Sequence, residues 1–182
     1  DRYSENFDKL LRWIFNKPLY VKPELGKKPS FAVGVGNIPG LETTGCWREE
    51  SEYFIAEADE YVTDPSAPSR GEKITPRFSF LNPVITVCTN LEFDHPDVYK
   101  DFQETYSTFQ TFFERIQPNG TLIYNAENDD LKKLAHQVTQ SNNRKSIGFG
   151  ENTDSTLRLL GYNSLEGLAA GLFSWGEKYT FS

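Results

Sequence analysis

The feature that most constrains this chain is an alternation. Short, almost wholly apolar runs recur along it, and amphipathic stretches separate the later ones. The runs are Ser30–Val35, Tyr53–Ala58 (YFIAEA), Val84–Cys88 (VITVC), Thr121–Tyr124 and Ser146–Phe149. They are near-continuously apolar, which predicts strands covered on both faces. Between them, Val98–Ile116 sets Val98, Phe102, Thr105, Tyr106, Phe109, Phe112, Phe113 and Ile116 along one helical face. Pro118-Asn119-Gly120 is placed to stop that helix. Asn128–Gln140 is a second helix, with Leu131, Leu134, Ala135 and Val138 inward and Asn128, Asp129 and Asp130 supplying a cap and favourable charge at its start.

Strand–helix–strand alternation of this kind predicts an α/β fold, a mainly parallel sheet flanked by helices. The tail differs. Thr156–Tyr162 and Gly171–Phe181 alternate polar and apolar residues, which predicts a smaller antiparallel portion near the C-terminus. Ser4–Asn16 reads as a short amphipathic helix ended by Pro18, and the polar stretch Asp64–Arg77, with three prolines, as a surface loop. A length of 182 residues predicts one domain over the whole chain. The chain opens at Asp1 and contains no Met, so it reads as a piece of something larger.

Composition narrows the partners. A net charge of −7 argues against a nucleic-acid backbone, which calls for a basic patch. Cys46 and Cys88 are far apart and lack a CxxC partner, so neither a disulfide framework nor a zinc site is indicated. Reduced thiols fit a cytoplasmic protein. No apolar run approaches the roughly 18 residues of a membrane span, and no signal peptide is visible. The aromatic series Tyr99, Phe102, Tyr106, Phe109, Phe112 and Phe113 recurs at helical spacing and reads as core. Cys88 reads as a small buried hydrophobe, and His136 as an exposed residue on the polar side of its helix.

Two polar strings follow strand runs. Glu57-Ala58-Asp59-Glu60 closes YFIA, and Thr89-Asn90-Leu91-Glu92-Phe93-Asp94-His95 closes VITVC. In open α/β sheets, ligands bind at the carboxyl ends of the strands. Glu57, Asp59, Glu60, Glu92, Asp94 and His95 form a concentrated set of oxygen donors with one imidazole. A divalent cation would relieve the repulsion among the carboxylates. Oxygen-rich sites favour Mg²⁺; the imidazole could equally select Mn²⁺ or hold a water. The alternative is plain: acidic strand ends are commonly solvated loops.

The string YFIAEADEY, then FLNPVITVCTNLEFDHPDVY, an amphipathic helix, PNGTLIYN and an Asn-Asp pair resemble the middle, ATP-binding domain of the Mur ligases. The resemblance runs from about Lys27 to Leu134 and is nearest to the branch acting directly on UDP-N-acetylmuramate, whose members add L-alanine or a murein peptide. It implies a bacterial, cytoplasmic, ATP-dependent amide-forming ligase of peptidoglycan synthesis. ATP would phosphorylate the muramoyl carboxylate, and an amine would attack the acyl phosphate. Two cations, Mg²⁺ by expectation, would neutralise the phosphates. Glu57 corresponds to a glutamate that helps hold the first, and His95 to a histidine that helps hold the second. Asp59, Glu60, Asn90 and Asp94 would be supporting residues. On this reading the Glu57 carboxylate and the His95 imidazole project from neighbouring strand tips into one cleft. Some members carry a modified lysine on the following helix; Thr108-Phe109-Gln110 has none, which fits the L-alanine-adding branch.

The sequence also departs from that pattern. It holds no GxxxxGK[ST] loop, so the expected domain over 1–182 is incomplete at its N-terminus, and the chain alone is expected to bind ATP weakly and not to catalyse ligation. Gly26-Lys27-Lys28 has the wrong spacing, and Gly34–Gly40 reads as a tight loop. Arg77 and Phe78 follow a long loop and are left without a role. Two rivals stand beside the ligase: a catalytically silent binding or scaffold domain of the same fold, and an unrelated metal-dependent α/β hydrolase.

Overall fold

A computed structural model describes residues 28–34, 43–152, 155–165, 168–175 and 179–181. The expected helix at Ser4–Asn16, Val35 of the first strand run, and Gly36 and Gly40 lie outside the described residues. The chain divides into two compact units, 1–59 and 60–182, and each is described by itself.

Among its described residues the first unit contains three strands: β1 (Ser30–Ala32), β2 (Gly45–Cys46) and β3 (Phe54–Ala56). They form one sheet in the order β2-β1-β3, with β1 antiparallel to β2 and parallel to β3. Ser30 is the buried polar residue of this sheet, and its hydrogen bonds explain why it is tolerated there. Its hydroxyl accepts from the Arg48 amide at 2.8 Å and donates to the Arg48 carbonyl at 3.3 Å, while its own amide donates to Ser51 Oγ at 3.0 Å.

Among its described residues the second unit forms a six-stranded sheet in the order β4-β5-β6-β7-β8-β9. Strands β4 (Ile85–Cys88), β5 (Thr121–Asn125), β6 (Lys145–Gly150) and β7 (Leu157–Leu165) run parallel. Strands β8 (Leu168–Trp175) and β9 (Tyr179–Phe181) return antiparallel, as the alternating tail predicts. Helix α1 (Phe102–Phe113) connects β4 to β5, and α2 (Asp129–Thr139) connects β5 to β6. Both helices pack on the same face of the sheet. Phe112, Phe113 and Ile116 from the first connection and Leu131, Leu134, Ala135 and Val138 from the second meet Cys88, Leu122 and Tyr124 in one buried cluster. Phe78 joins it, 2% exposed and stacked on Phe112 with ring centroids 4.4 Å apart. Phe78 is therefore a core residue.

The expectation of strands covered on both faces fails at β4. Thr86 and Cys88 are buried against the helices, but Ile85 and Val87 point the other way and stay 38% and 41% exposed. Among the described residues β4 stands at the end of its sheet, and the face that carries Ile85 and Val87 is only partly covered. Phe54 of β3 is likewise exposed. The first helix is also shorter than its apolar stripe. The stripe continues through Val98 and Ile116, both buried, but the helix starts only at Phe102, because Asp101 is extended and caps it by accepting from the Glu104 amide at 3.0 Å. The chain past Phe113 tightens into a turn that puts Gly120 against backbone. A Cβ there would lie 2.7 Å from the Val84 carbonyl oxygen and 2.8 Å from that of Gln117. Only glycine lets β5 start at this point.

The loop Asp64–Arg77 is on the surface as expected, but it is ordered by its own charges. The Arg70 guanidinium reaches Asp64 Oδ2 and Glu72 Oε2, each at 2.6 Å. Its hydrogen bond to Asp64 holds that carboxyl below its ordinary range. Among the described residues, no helix is long and apolar enough to cross a membrane.

Candidate functional site

The site in the second unit begins where β4 ends. Leu91 is 3% exposed and anchors the loop after β4 in the core. Asn128, the N-cap of α2, holds the same loop from the side. Its Oδ1 accepts from the Leu131 amide at 2.9 Å, and its Nδ2 donates to Asn90 Oδ1 at 2.7 Å and to the Leu91 carbonyl at 2.9 Å. Asn90 also donates to Glu92 Oε1 at 2.7 Å. The expected supporting residue Asn90 is thus a brace between loop and helix.

The loop then turns sharply at His95, whose φ is +57°. This is a left-handed conformation that non-glycine residues seldom adopt. It is fixed from both sides: Asp94 Oδ1 accepts the His95 amide at 2.7 Å, and the His95 carbonyl accepts from the amides of Val98 and Tyr99, each at 2.9 Å. Val98 and Tyr99 pack with Val62 in a second buried cluster, and the Tyr99 hydroxyl donates to the Glu60 carbonyl. That packing carries Glu60 to the loop.

The result is a triad of donors. Glu60, Asp94 and His95 each offer one ligand atom, all within 4.8 Å of one another. His95 Nε2 stands 3.4 Å from Glu60 Oε1 and 3.9 Å from Asp94 Oδ2. Both gaps exceed an ordinary N–H···O hydrogen bond. Ligands about 2.0–2.1 Å from an octahedral cation are about 3 Å apart when adjacent and about 4 Å when opposite. The observed spacing and the donor set of two carboxylates and an imidazole fit a small divalent cation. Glu60 and His95 are about one-third exposed and Asp94 more so, which leaves the centre open to a ligand.

Glu57 and Asp59 of the acidic string belong to the first unit. Glu57, immediately after β3, accepts the Gly34 amide on Oε2 at 2.7 Å. A Cβ at Gly34 would sit 3.3 Å from that oxygen and 3.5 Å from Asp59 Oδ2. The glycine after β1 therefore makes room for two carboxylates. Of the six candidate residues Glu57, Asp59, Glu60, Asn90, Asp94 and His95, the structure brings Glu60, Asp94 and His95 together, ties Asn90 to Asn128 and Glu92, and sets Glu57 and Asp59 beside Gly34 in the first unit.

Tyr61 and Asp97 were not singled out from the sequence. The Tyr61 and His95 rings meet edge to face at 4.9 Å, and the Tyr61 hydroxyl donates to Asp97 Oδ2 at 2.9 Å. That hydrogen bond, with lesser help from desolvation, raises the phenol above its ordinary pKa. The Arg77 guanidinium lies over the same ring, 5.5 Å from its centroid. No local spacing signals these contacts; they exist because 61–63 pairs with 75–77 and the Val62 cluster draws both to the loop. Behind the site, burial pushes the Cys88 thiol up to about 12, and the nearby charge of Glu60 adds to the effect.

A parallel α/β sheet with a cluster of possible ligand atoms past the carboxyl end of a strand is the arrangement in which open α/β domains take up ligands. The chain belongs to the Mur ligase family, matching the Mur ligase middle domain over residues 48–179. Its relatives include UDP-N-acetylmuramate–L-alanine ligases. That of Arthrobacter sp. is 34% identical over 136 residues, covering 74% of this chain and 26% of the relative. That of Mycobacterium marinum is 32% identical over 159 residues, covering 85% and 27%. The chain thus spans about a quarter of the length of the curated relatives it matches. Among solved structures, the fold is similar to the UDP-N-acetylmuramate:L-alanyl-gamma-D-glutamyl-meso-diaminopimelate ligase of Neisseria meningitides, with a TM-score of 0.60 and 20% identity over 93% of this chain and 47% of the other. It is also similar to the MurF ligase of Thermotoga maritima in complex with ADP, with a TM-score of 0.57 and 16% identity over 86% of this chain and 34% of the other. Family membership removes the reading of an unrelated hydrolase.

Proposed function

We propose that this chain is the ATP-handling portion of an ATP-dependent amide-forming ligase that adds L-alanine, or a peptide, to UDP-N-acetylmuramate in the bacterial cytoplasm. The two units would be parts of one middle domain, since the family match runs across the boundary between 59 and 60. The observation that carries the reading is the Glu60–Asp94–His95 donor cluster past the end of β4.

In this reading His95 holds a divalent cation through Nε2, with Glu60 and Asp94 beside it. Glu57 serves a first cation and Asp59 supports it. A bound cation would supply positive charge where the terminal phosphates of ATP carry negative charge. The residues do the rest. Asn90 and Asn128 keep the loop in place, the Asp94 side chain pins the turn at His95, and the Gly34 amide orients Glu57. Such chemistry needs charge neutralisation and positioning rather than a protein nucleophile.

Calorimetric titration with Mn²⁺ tests the centre. The chain should take up the ion, and His95→Asn and Glu60→Gln should each weaken uptake by about tenfold or more. Asn tolerates a left-handed backbone, so His95→Asn removes the ligand and keeps the turn. Equal affinity in the parent and in His95→Asn overturns the assignment. In the full-length protein, Glu57→Ala and His95→Ala should abolish ADP release dependent on UDP-N-acetylmuramate and L-alanine; near-normal turnover in both refutes the ligase roles.

A further inference from the structure

We infer that Tyr61, anchored by Asp97, is a positioning residue that fixes the plane of the His95 imidazole toward Glu60 and Asp94. The inference deepens the cation reading above and rests on it.

His95 reaches the cluster from a backbone in an uncommon conformation, which sets where the side chain starts but leaves its ring free to rotate about χ2. Something else has to choose the ring plane. Among the described residues the ring that meets it is Tyr61, with centroids 4.9 Å apart and planes inclined by 65°. An edge-to-face contact of this geometry is favourable and directional. It restrains χ2 only if Tyr61 is itself fixed, and three features fix it. Its carbonyl accepts the Arg77 amide at 2.9 Å, the Arg77 guanidinium lies over its ring, and its hydroxyl is tied to Asp97 Oδ2 at 2.9 Å. Asp97 is two residues beyond His95 in the same turn, so the anchor moves with the residue it orients. Partners that orient a ligating imidazole commonly act through its second nitrogen. Here the restraint falls on the ring edge or face, and it leaves Nε2 aimed at Glu60 Oε1.

The chain has only two histidines, His95 and His136, so their imidazole proton resonances are readily told apart, and His136 serves as an internal control. In the metal-free chain the ring current of Tyr61 should displace the His95 ring protons. Tyr61→Leu should abolish that displacement and leave His136 unchanged. Tyr61→Phe should retain most of it, because the ring remains, and Asp97→Ala should reduce it. In parallel, Tyr61→Leu should weaken Mn²⁺ binding by about tenfold, and Tyr61→Phe by less. A purely structural role would not give recovery of both signals by phenylalanine. His95 shifts that are the same in the parent and in Tyr61→Leu, or an Mn²⁺ affinity that Tyr61→Leu leaves intact, overturn the inference while the cation centre stands. Absence of His95-dependent Mn²⁺ uptake in the parent chain overturns the cation reading itself, and the positioning claim with it.

Discussion

Asn128 closes two accounts with one side chain, and its removal has a magnitude that follows from the geometry. Its Oδ1 satisfies the Leu131 amide in the first turn of α2, while its Nδ2 donates to Asn90 and to the carbonyl of buried Leu91. Loss of an N-cap costs about 1 kcal/mol. Each of the two donated bonds is worth about 1 kcal/mol, and an orphaned buried carbonyl costs at least as much again. Water can replace the exposed bond to Asn90 and part of the others, so this sum of about 4 kcal/mol is an upper figure and Asn128→Ala should lower stability by about 2–4 kcal/mol. Asn128→Asp keeps an acceptor for Leu131 and adds a negative charge at a helix N-terminus, worth about 0.3–1 kcal/mol, but it turns an oxygen toward two acceptors. It should fall between the parent and the alanine variant. Urea unfolding followed by far-ultraviolet circular dichroism measures both, and Mn²⁺ titration of the folded variants reports on the loop. The order parent, Asp, Ala should hold for stability, and affinity should fall in both variants because both release Asn90 and Leu91. An alanine variant within about 0.5 kcal/mol of the parent, or an aspartate variant with unchanged affinity, refutes the brace.

Three further outcomes follow from single residues. Arg144 donates to the carbonyls of Ile116 at 2.7 Å, Glu114 at 2.6 Å and Val138 at 3.3 Å, collecting chain ends from both helical connections; Arg144→Met should cost about 2–4 kcal/mol in denaturant unfolding, and Arg144→Lys somewhat less. The buried Thr86 hydroxyl has no hydrogen-bond partner among the described residues, so Thr86→Val should raise stability by about 1 kcal/mol, measured the same way. Cys88 is buried with its pKa raised to about 12 from an ordinary 9.0, so the native chain should be alkylated at Cys46 and spared at Cys88 under mildly alkaline conditions, as peptide mapping would show. The sign for stability is fixed by the same shift: the unfolded thiol ionises first, so this contribution is whole below about pH 9 and is lost as the pH rises toward 12, a loss that Cys88→Ala should lack.

Local pattern carried much of this architecture. Asn128, the acidic first turn and the inward row Leu131, Leu134, Ala135 and Val138 announced α2 to within a residue, because cap and periodicity are written in adjacent positions. The apolar stripe of α1 was legible too, but its start was not: Asp101 and Glu104 cap the helix inside a stretch whose hydrophobic spacing runs on through the preceding turn. Strand β4 reads as wholly buried from VITVC, yet the face that carries Ile85 and Val87 is only partly covered. The site followed the same division. Strand-end position marked Asp94, His95 and the acidic string, whereas the grouping of Glu60 with His95 depends on Tyr99 and Val62, and the Tyr61–Asp97 link spans 36 residues. Residues that meet only through the fold leave no spacing to read.

The open side of β4 has a consequence for the protein in solution. Among the described residues β4 is bonded along one margin only, with aliphatic side chains exposed beside it, and such a strand is a template to which a further strand can pair. Concentrated samples of this chain should self-associate through that stripe, and a lysine placed at 85 or 87 would keep them dispersed without entering the helix-covered side of the sheet.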